Sequence, residues 1–270
     1  MESLPNLAKK YLACRSVSRQ HEKNVIRVAA KCRELSADAV NAYLKARMKR
    51  ISTVTAKTER TILLCIWRWA YDTSLVDLPP RGVMKVKVSR KPTKAWTEEQ
   101  CRLLLERTQS MRGVLRSGAK LGSFLRCWIL LGYEAGARRG DLFTLRAEDF
   151  DGDTLRWTQH KTGDPINKVL TKACVEAVRE MLSASPDGTV LGWACGMRQQ
   201  MRIMRQFLDN TGVGGTSKWL RRSGATHIEI REPGKARHHL GHRSLDLAAK
   251  AYIDWSQVRR EMPRTPELAG

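Results

Sequence analysis

Apolar residues recur three and four positions apart along most of this chain, and that spacing limits it to a largely helical fold. Leu7 to Cys14, Val25 to Leu35, Ala37 to Ile51 and Thr55 to Tyr71 each carry such a stripe, with basic residues between the apolar ones. These are amphipathic helices with one face to bury. Ser36 and Asp38 suit the start of the third, and Thr53 and Thr55 offer caps for the fourth. In the fourth, Ile62, Cys65, Ile66 and Trp69 fall on one face, with Arg60 and Arg68 elsewhere on its surface.

The pattern stops at Leu78-Pro79-Pro80-Arg81-Gly82. Val83 to Lys94 then holds Lys85, Lys87, Arg90, Lys91 and Lys94 with no acid. Prolines and dense basic charge without apolar periodicity read as a linker. Helical spacing returns after Trp96, where Thr97 can cap a helix opened by Glu98 and Glu99. A further helix spans about Gly122 to Glu134. The period then changes to two: Thr154 to Gln159 and Asn167 to Leu170 read as strands, joined by a turn at Lys161-Thr162-Gly163-Asp164. Helices resume from Thr171. The expected fold is mainly α in two domains: a helical domain over 1–80, a basic linker over 81–95, and an α-rich domain with a small antiparallel sheet over 96–262. A tail follows at 263–270.

Charge narrows the function. Of 270 residues, 49 are Lys or Arg and 27 are Asp or Glu, a net charge of +22. Each phosphate neutralised on a polyanion releases condensed counterions, so a nucleic acid is the first partner to expect. The first 90 residues hold 19 basic and 7 acidic side chains, the denser positive charge of a DNA-gripping module. There is no apolar run of transmembrane length and no secretion signal at the N-terminus, so a cytoplasmic, non-membrane protein is expected. The seven cysteines, at 14, 32, 65, 101, 127, 174 and 195, form no CxxC pair. They read as small core residues, Cys65 and Cys127 among them, and no metal site or cofactor is expected.

Three separated segments carry a resemblance. Gly136-Ala137-Arg138-Arg139-Gly140-Asp141-Leu142 is the first. Lys218-Trp219-Leu220-Arg221-Arg222-Ser223-Gly224-Ala225-Thr226-His227 is the second. Leu240-Gly241-His242-Arg243-Ser244-Leu245, followed by Tyr252, is the third. In this order they resemble the signature boxes of the tyrosine recombinases (phage integrases and Xer-type resolvases). The resemblance runs from about Leu7 to Trp255. It implies two domains clamping DNA, and a 3′-phosphotyrosine intermediate in site-specific recombination.

The residue types suit that chemistry. Cutting a phosphodiester without a metal requires a nucleophile, fixed positive charge at the phosphoryl oxygens and an acid for the leaving 5′ oxygen. Arg138 and Arg221 can supply planar, permanently charged forks, and His242 a further hydrogen bond. By resemblance Tyr252 is the nucleophile, on a helix expected over Leu245 to Met262. Lys161 in the hairpin turn matches the family's general acid. Lys218 stands at a position where most relatives have His. With an ordinary lysine pKa near 10.4 it serves better as charge than as base. His227 matches a non-catalytic position. Asp141, where glutamate is more frequent, is expected to orient Arg138 or a neighbouring backbone group. DNA-backbone contacts are expected from Lys45, Arg47, Lys49, Arg50, Lys57, Arg60, Lys85, Lys87, Arg90 and Lys91, and from Arg139 and Arg222 beside the two arginines.

The resemblance further implies double-stranded DNA at specific sites, and a homotetramer on paired sites. Its protomers would exchange a C-terminal segment containing Trp255, Val258 and Met262. It also implies a phage, plasmid or other mobile-element origin, and the short N-terminal region implies a core-site enzyme without a separate arm-binding domain. Two alternatives share these features. A type IB topoisomerase would use the same side chains but relax DNA alone, and a non-catalytic DNA-binding protein would keep the fold without the reaction.

Overall fold

The computed structural model describes residues 2–32, 34–89, 91–242 and 245–258. Arg90, Arg243, Ser244, Met262 and the tail at 263–270 lie outside the described residues. The chain divides into two units, Met1–Lys91 and Pro92–Gly270.

The N-terminal unit is built from α1 (Leu4–Ala13), α2 (Arg19–Cys32), α3 (Ala37–Met48) and α4 (Thr53–Asp72). Their apolar stripes meet in one core that includes Leu7, Val25, Val28, Leu44, Leu63 and Ile66. Ser36 caps α3, its Oγ accepting from the Ala39 amide at 3.2 Å. The cap of α4 is Ser52, which accepts from the Thr55 amide at 3.2 Å. Thr53 and Thr55 lie inside the first turn, so the expectation that they cap is corrected. The buried face of α4 is also rotated from the expected one. Leu63 and Trp67 join Ile62 and Ile66 in the core, while Cys65 is exposed, as is Cys14. A helix buried against several neighbours at once hides a broader arc than one stripe.

This core contains a carboxylate. Glu59, 1% exposed, accepts from Arg47 Nε at 2.8 Å and Nη2 at 2.7 Å, and from the Tyr43 hydroxyl at 2.8 Å. Burial pushes its carboxyl up, but the bonds from Arg47 and Tyr43 outweigh that and hold it below the ordinary range. The stretch after Pro80 is tied to the same unit. Arg60 Nε donates to the Met84 carbonyl at 2.6 Å, Asn41 accepts from the Met84 amide at 2.8 Å, and Val86 is buried.

Near the start of the C-terminal unit Trp96 is buried. Thr97 and Gln100 form a capping box on α5 (Glu98–Ser110), two amide donors being satisfied reciprocally. The centre is α6 (Leu121–Glu134), apolar on nearly every side and buried from Cys127 to Gly132. The short α7 (Arg139–Leu142) follows, then a 3-10 turn at Ala147–Asp149. The sheet is β1 (Phe150–Asp151), β2 (Thr154–Thr158) and β3 (Pro165–Val169), antiparallel in that order, with Arg156 opposite Asn167. Sequence periodicity located β2 and β3 but not β1, whose two residues are too few to show a period. After the sheet come α8 (Lys172–Ser183), α9 (Met197–Thr211), α10 (Lys218–Arg231), α11 (Ala236–Leu240) and α12 (Leu245–Ala251). α6 packs on α5, α8 and α10, which fixes the start of α10 against the end of α6. Among the described residues, no helix is long and apolar enough to cross a membrane.

Candidate active site

α6 ends in a corner that only glycine makes easily. Gly136 has φ +58°, and a Cβ there would stand 2.5 Å from the His239 imidazole. The corner presents the Gly136 carbonyl inward, where Arg221 Nη1 donates to it, and sets Arg138 at the start of α7. Arg221 comes from the second turn of α10 and is 5% exposed. Its Nη2 donates to the Leu240 carbonyl at 2.8 Å. Burial pulls its guanidinium down to about 10, with the charge on Arg138 adding to the fall, so it remains charged at neutral pH.

Lys218, Arg221 and Arg222 lie three and four residues apart, on one side of α10. Together with Arg138, Arg139, Lys161 and Tyr252 they line one cleft of about 670 Å³. Five of the six residues expected to carry the chemistry therefore border the same space. The sixth, His242, sits directly behind it, its ring centroid 4.9 Å from that of Tyr252 and its Nε2 3.1 Å from Arg221 Nη2. The Arg221 guanidinium carbon is 5.0 Å from the centre of the Tyr252 ring. Tyr252 lies in the turn after α12, which ends at Ala251, and not on a helix running to Met262 as expected. A turn lets the phenol face the cleft without following the helical repeat.

Lys161 is exposed at the tip of the β2–β3 hairpin. Asp141, 3% exposed, reaches that hairpin: its Oδ1 accepts from the His160 amide at 3.2 Å and lies 3.1 Å from His160 Nδ1. Of the two expected partners, Asp141 therefore takes a backbone group beside Lys161. His227 is committed elsewhere. Its Nε2 donates to the Trp96 carbonyl at 2.9 Å and its Nδ1 accepts from the Tyr133 hydroxyl at 2.7 Å.

Two residues of the site gave no signal in the sequence. Gln159, 1% exposed, accepts from Arg138 Nη1. His239 is buried between Gly136 and Gly224, and burial holds its imidazole down at about 3, helped by Lys168 and Arg221. Neither belongs to a recognisable spacing, because their partners lie far away in sequence.

Residues 253–258 fold back on their own unit. Asp254, 4% exposed, accepts from the Ala95 amide at 3.0 Å, and its own amide donates to Thr226 Oγ1 at 2.9 Å. Trp255 Nε1 donates to the Ala249 carbonyl at 2.8 Å, and Trp255 and Val258 pack beside Ile253 and Leu240. In this single chain Trp255 and Val258, two of the three residues expected in an exchanged segment, are docked at home, and the third, Met262, lies outside the described residues.

On the N-terminal unit Lys45, Lys49, Arg50, Lys57, Lys85, Lys87 and Lys91 are exposed. Arg47 and Arg60 are instead engaged with Glu59 and with the Met84 carbonyl.

No family model matches the chain. An integrase of Enterobacteria phage P21 is 26% identical over 156 residues, which is 57% of this chain and 37% of that protein. The chain thus spans little more than a third of that curated relative. A lambda integrase dimer bound to a COC′ core site superposes with a TM-score of 0.78 at 18% identity, over 98% of this chain and 81% of the other. The XerH site-specific recombinase bound to palindromic difH substrate, in a post-cleavage complex, gives 0.70 at 14% identity, over 85% and 75%. Such likenesses define a fold. In that fold, and in the boxes that converge on its cleft, the chain resembles the tyrosine recombinases of the phage integrase and Xer type.

Proposed function

We propose that this protein is a site-specific recombinase that cuts and rejoins DNA through a phosphate bond to Tyr252. One observation carries the reading: Arg138, Arg221 and Tyr252, from three different parts of the chain, border one cleft. Two guanidiniums there can clamp the non-bridging oxygens of a phosphodiester and stabilise the charge that grows on them during attack. The phenol oxygen bonds to phosphorus as the bond to the 5′ oxygen breaks. The phenol gives up a proton to water in the open cleft, and Lys161 gives one to the leaving 5′ oxygen, so the step is balanced. The phosphotyrosine keeps the energy of the broken bond, and a free 5′ hydroxyl can reverse the step.

Lys218, at the rim of the cleft, adds positive charge to the transition state. His242 is held neutral, its imidazole lowered to about 4 by burial and by Arg221 and Arg138. It therefore orients the arginine and the phenol rather than storing a proton. Arg139 and Arg222 guide the flanking phosphates, and the exposed lysines of the N-terminal unit, with Arg50, bind the DNA backbone. Pairing of two sites in a tetramer, with exchange of a C-terminal segment, would have to release Trp255 and Val258 or use residues beyond them.

The test is covalent capture from a pool of nicked duplexes of randomised sequence. The native protein should yield a denaturation-resistant protein–DNA adduct, and the enriched sequence should recombine when placed twice on a plasmid. Relaxation of supercoils without recombination would favour a topoisomerase, and binding without an adduct would favour a non-catalytic protein.

A further inference from the structure

Behind the cleft, one buried amide joins the two arginines. Gln159 closes the hairpin that carries Lys161. Its carbonyl accepts from the Gly163 amide at 2.8 Å and its amide donates to Asp164 at 2.9 Å. Its side chain turns the other way. Because a guanidinium only donates, the side-chain oxygen must be the atom facing Arg138, and Thr162 Oγ1 donates to that same oxygen at 3.1 Å. The side-chain nitrogen donates to the Leu240 carbonyl at 3.2 Å, and Arg221 Nη2 donates to that carbonyl at 2.8 Å. The path Arg138–Gln159–Leu240–Arg221 is thus three hydrogen bonds, the last two sharing the Leu240 carbonyl as acceptor. The next residue, Gly241, has φ +63°, and a Cβ there would stand 2.7 Å from the Gln159 nitrogen, so the backbone leaves room for this amide.

We propose that Gln159 is a positioning residue that sets the distance and angle between Arg138 and Arg221, and so the phosphate-binding geometry of the cleft. The inference rests on the recombinase reading. Arg221 is already fixed by the Gly136 and Leu240 carbonyls, whereas Arg138 alone could swing on its flexible stem. Linked through an amide that is buried and bonded at both ends, they are held ready for a tetrahedral group before it arrives. A displacement on the order of 1 Å at such a site costs about 100-fold in rate.

The test compares the native protein with Gln159→Met, which keeps the length and loses both hydrogen bonds. Both are assayed on a nicked duplex of the captured sequence with either a phosphate or a methylphosphonate at the scissile position. Methylphosphonate lacks the negative charge that the arginines must neutralise. Gln159→Met should bind DNA within about threefold of native, cleave the phosphate roughly 100-fold more slowly, and cleave the methylphosphonate less than about tenfold more slowly. Gln159→Asn, which keeps the amide one carbon short, should show the same substrate dependence and serves if the Met protein does not fold. Equal defects on both linkages, or none, would overturn the inference while leaving the recombinase reading intact. Failure of the native protein to form any adduct would overturn both.

Discussion

Arg221 Nη2 lies 3.1 Å from His242 Nε2, and since a guanidinium cannot accept, the imidazole must be the acceptor. His242 is therefore neutral with its proton on Nδ1, and the positive charge of the cleft comes from its arginines and lysines, Arg138, Arg139, Lys161, Lys218, Arg221 and Arg222. The arrangement has consequences for stability as well as for chemistry.

The pH dependence of stability follows from the two depressed imidazoles. His242 is lowered to about 4 and His239 to about 3, each first by burial. Between the unfolded value near 6.5 and these folded values the unfolded chain binds more protons, so stability falls as pH falls through that window. Each imidazole should cost on the order of 2 kcal/mol at pH 5 relative to pH 8. Urea midpoints at the two pH values check this. A His239→Phe protein should lose part of the slope, and a flat profile between pH 8 and 5 would contradict the buried, neutral assignment.

Asp141 should matter through the hairpin rather than through Arg138. Its bond to the His160 amide at 3.2 Å anchors the residue next to Lys161. Asp141→Ala should slow adduct formation about 10- to 100-fold with DNA affinity little changed. Asp141→Asn keeps an oxygen for the amide and should restore most of the rate. Single-turnover cleavage rates for the two variants decide it.

The N-terminal unit depends on Glu59. Replacing it with Ala leaves the Tyr43 hydroxyl and the half-buried Arg47 without their shared acceptor, at a cost of about 1–3 kcal/mol. Thermal unfolding should show the loss. Since the Glu59 carboxyl is held below its ordinary range, the native ion pair should keep its contribution at neutral pH and lose it only on acidification through that lowered value.

Legibility in the sequence followed distance along the chain. The helices of both units could be read because periodicity is local, and the boxes around Arg138, Arg221 and His242 could be read because each is a short run. Ser52 as a cap and Cys65 as a surface residue were missed by one step of a helix, the scale on which several competing neighbours decide which face is buried. β1 is too short to carry a pattern. Gln159 could not be read at all. Its partners Arg138 and Leu240 lie 21 and 81 residues away, and nothing near Gln159 says they will meet there. Arg47 and Arg60 show the same limit, since a basic residue looks free in sequence until its acceptor is seen.

The central claim is that the Tyr252 phenol becomes the covalent link to DNA. Mass spectrometry of protease-digested adduct, made by the native protein on the captured nicked duplex, measures it most directly. The account predicts a nucleotide phosphate on the peptide containing Tyr252, and no adduct from Tyr252→Phe even where that protein binds the duplex normally. A nucleotide attached to any other residue, or an undiminished adduct from Tyr252→Phe, would contradict it.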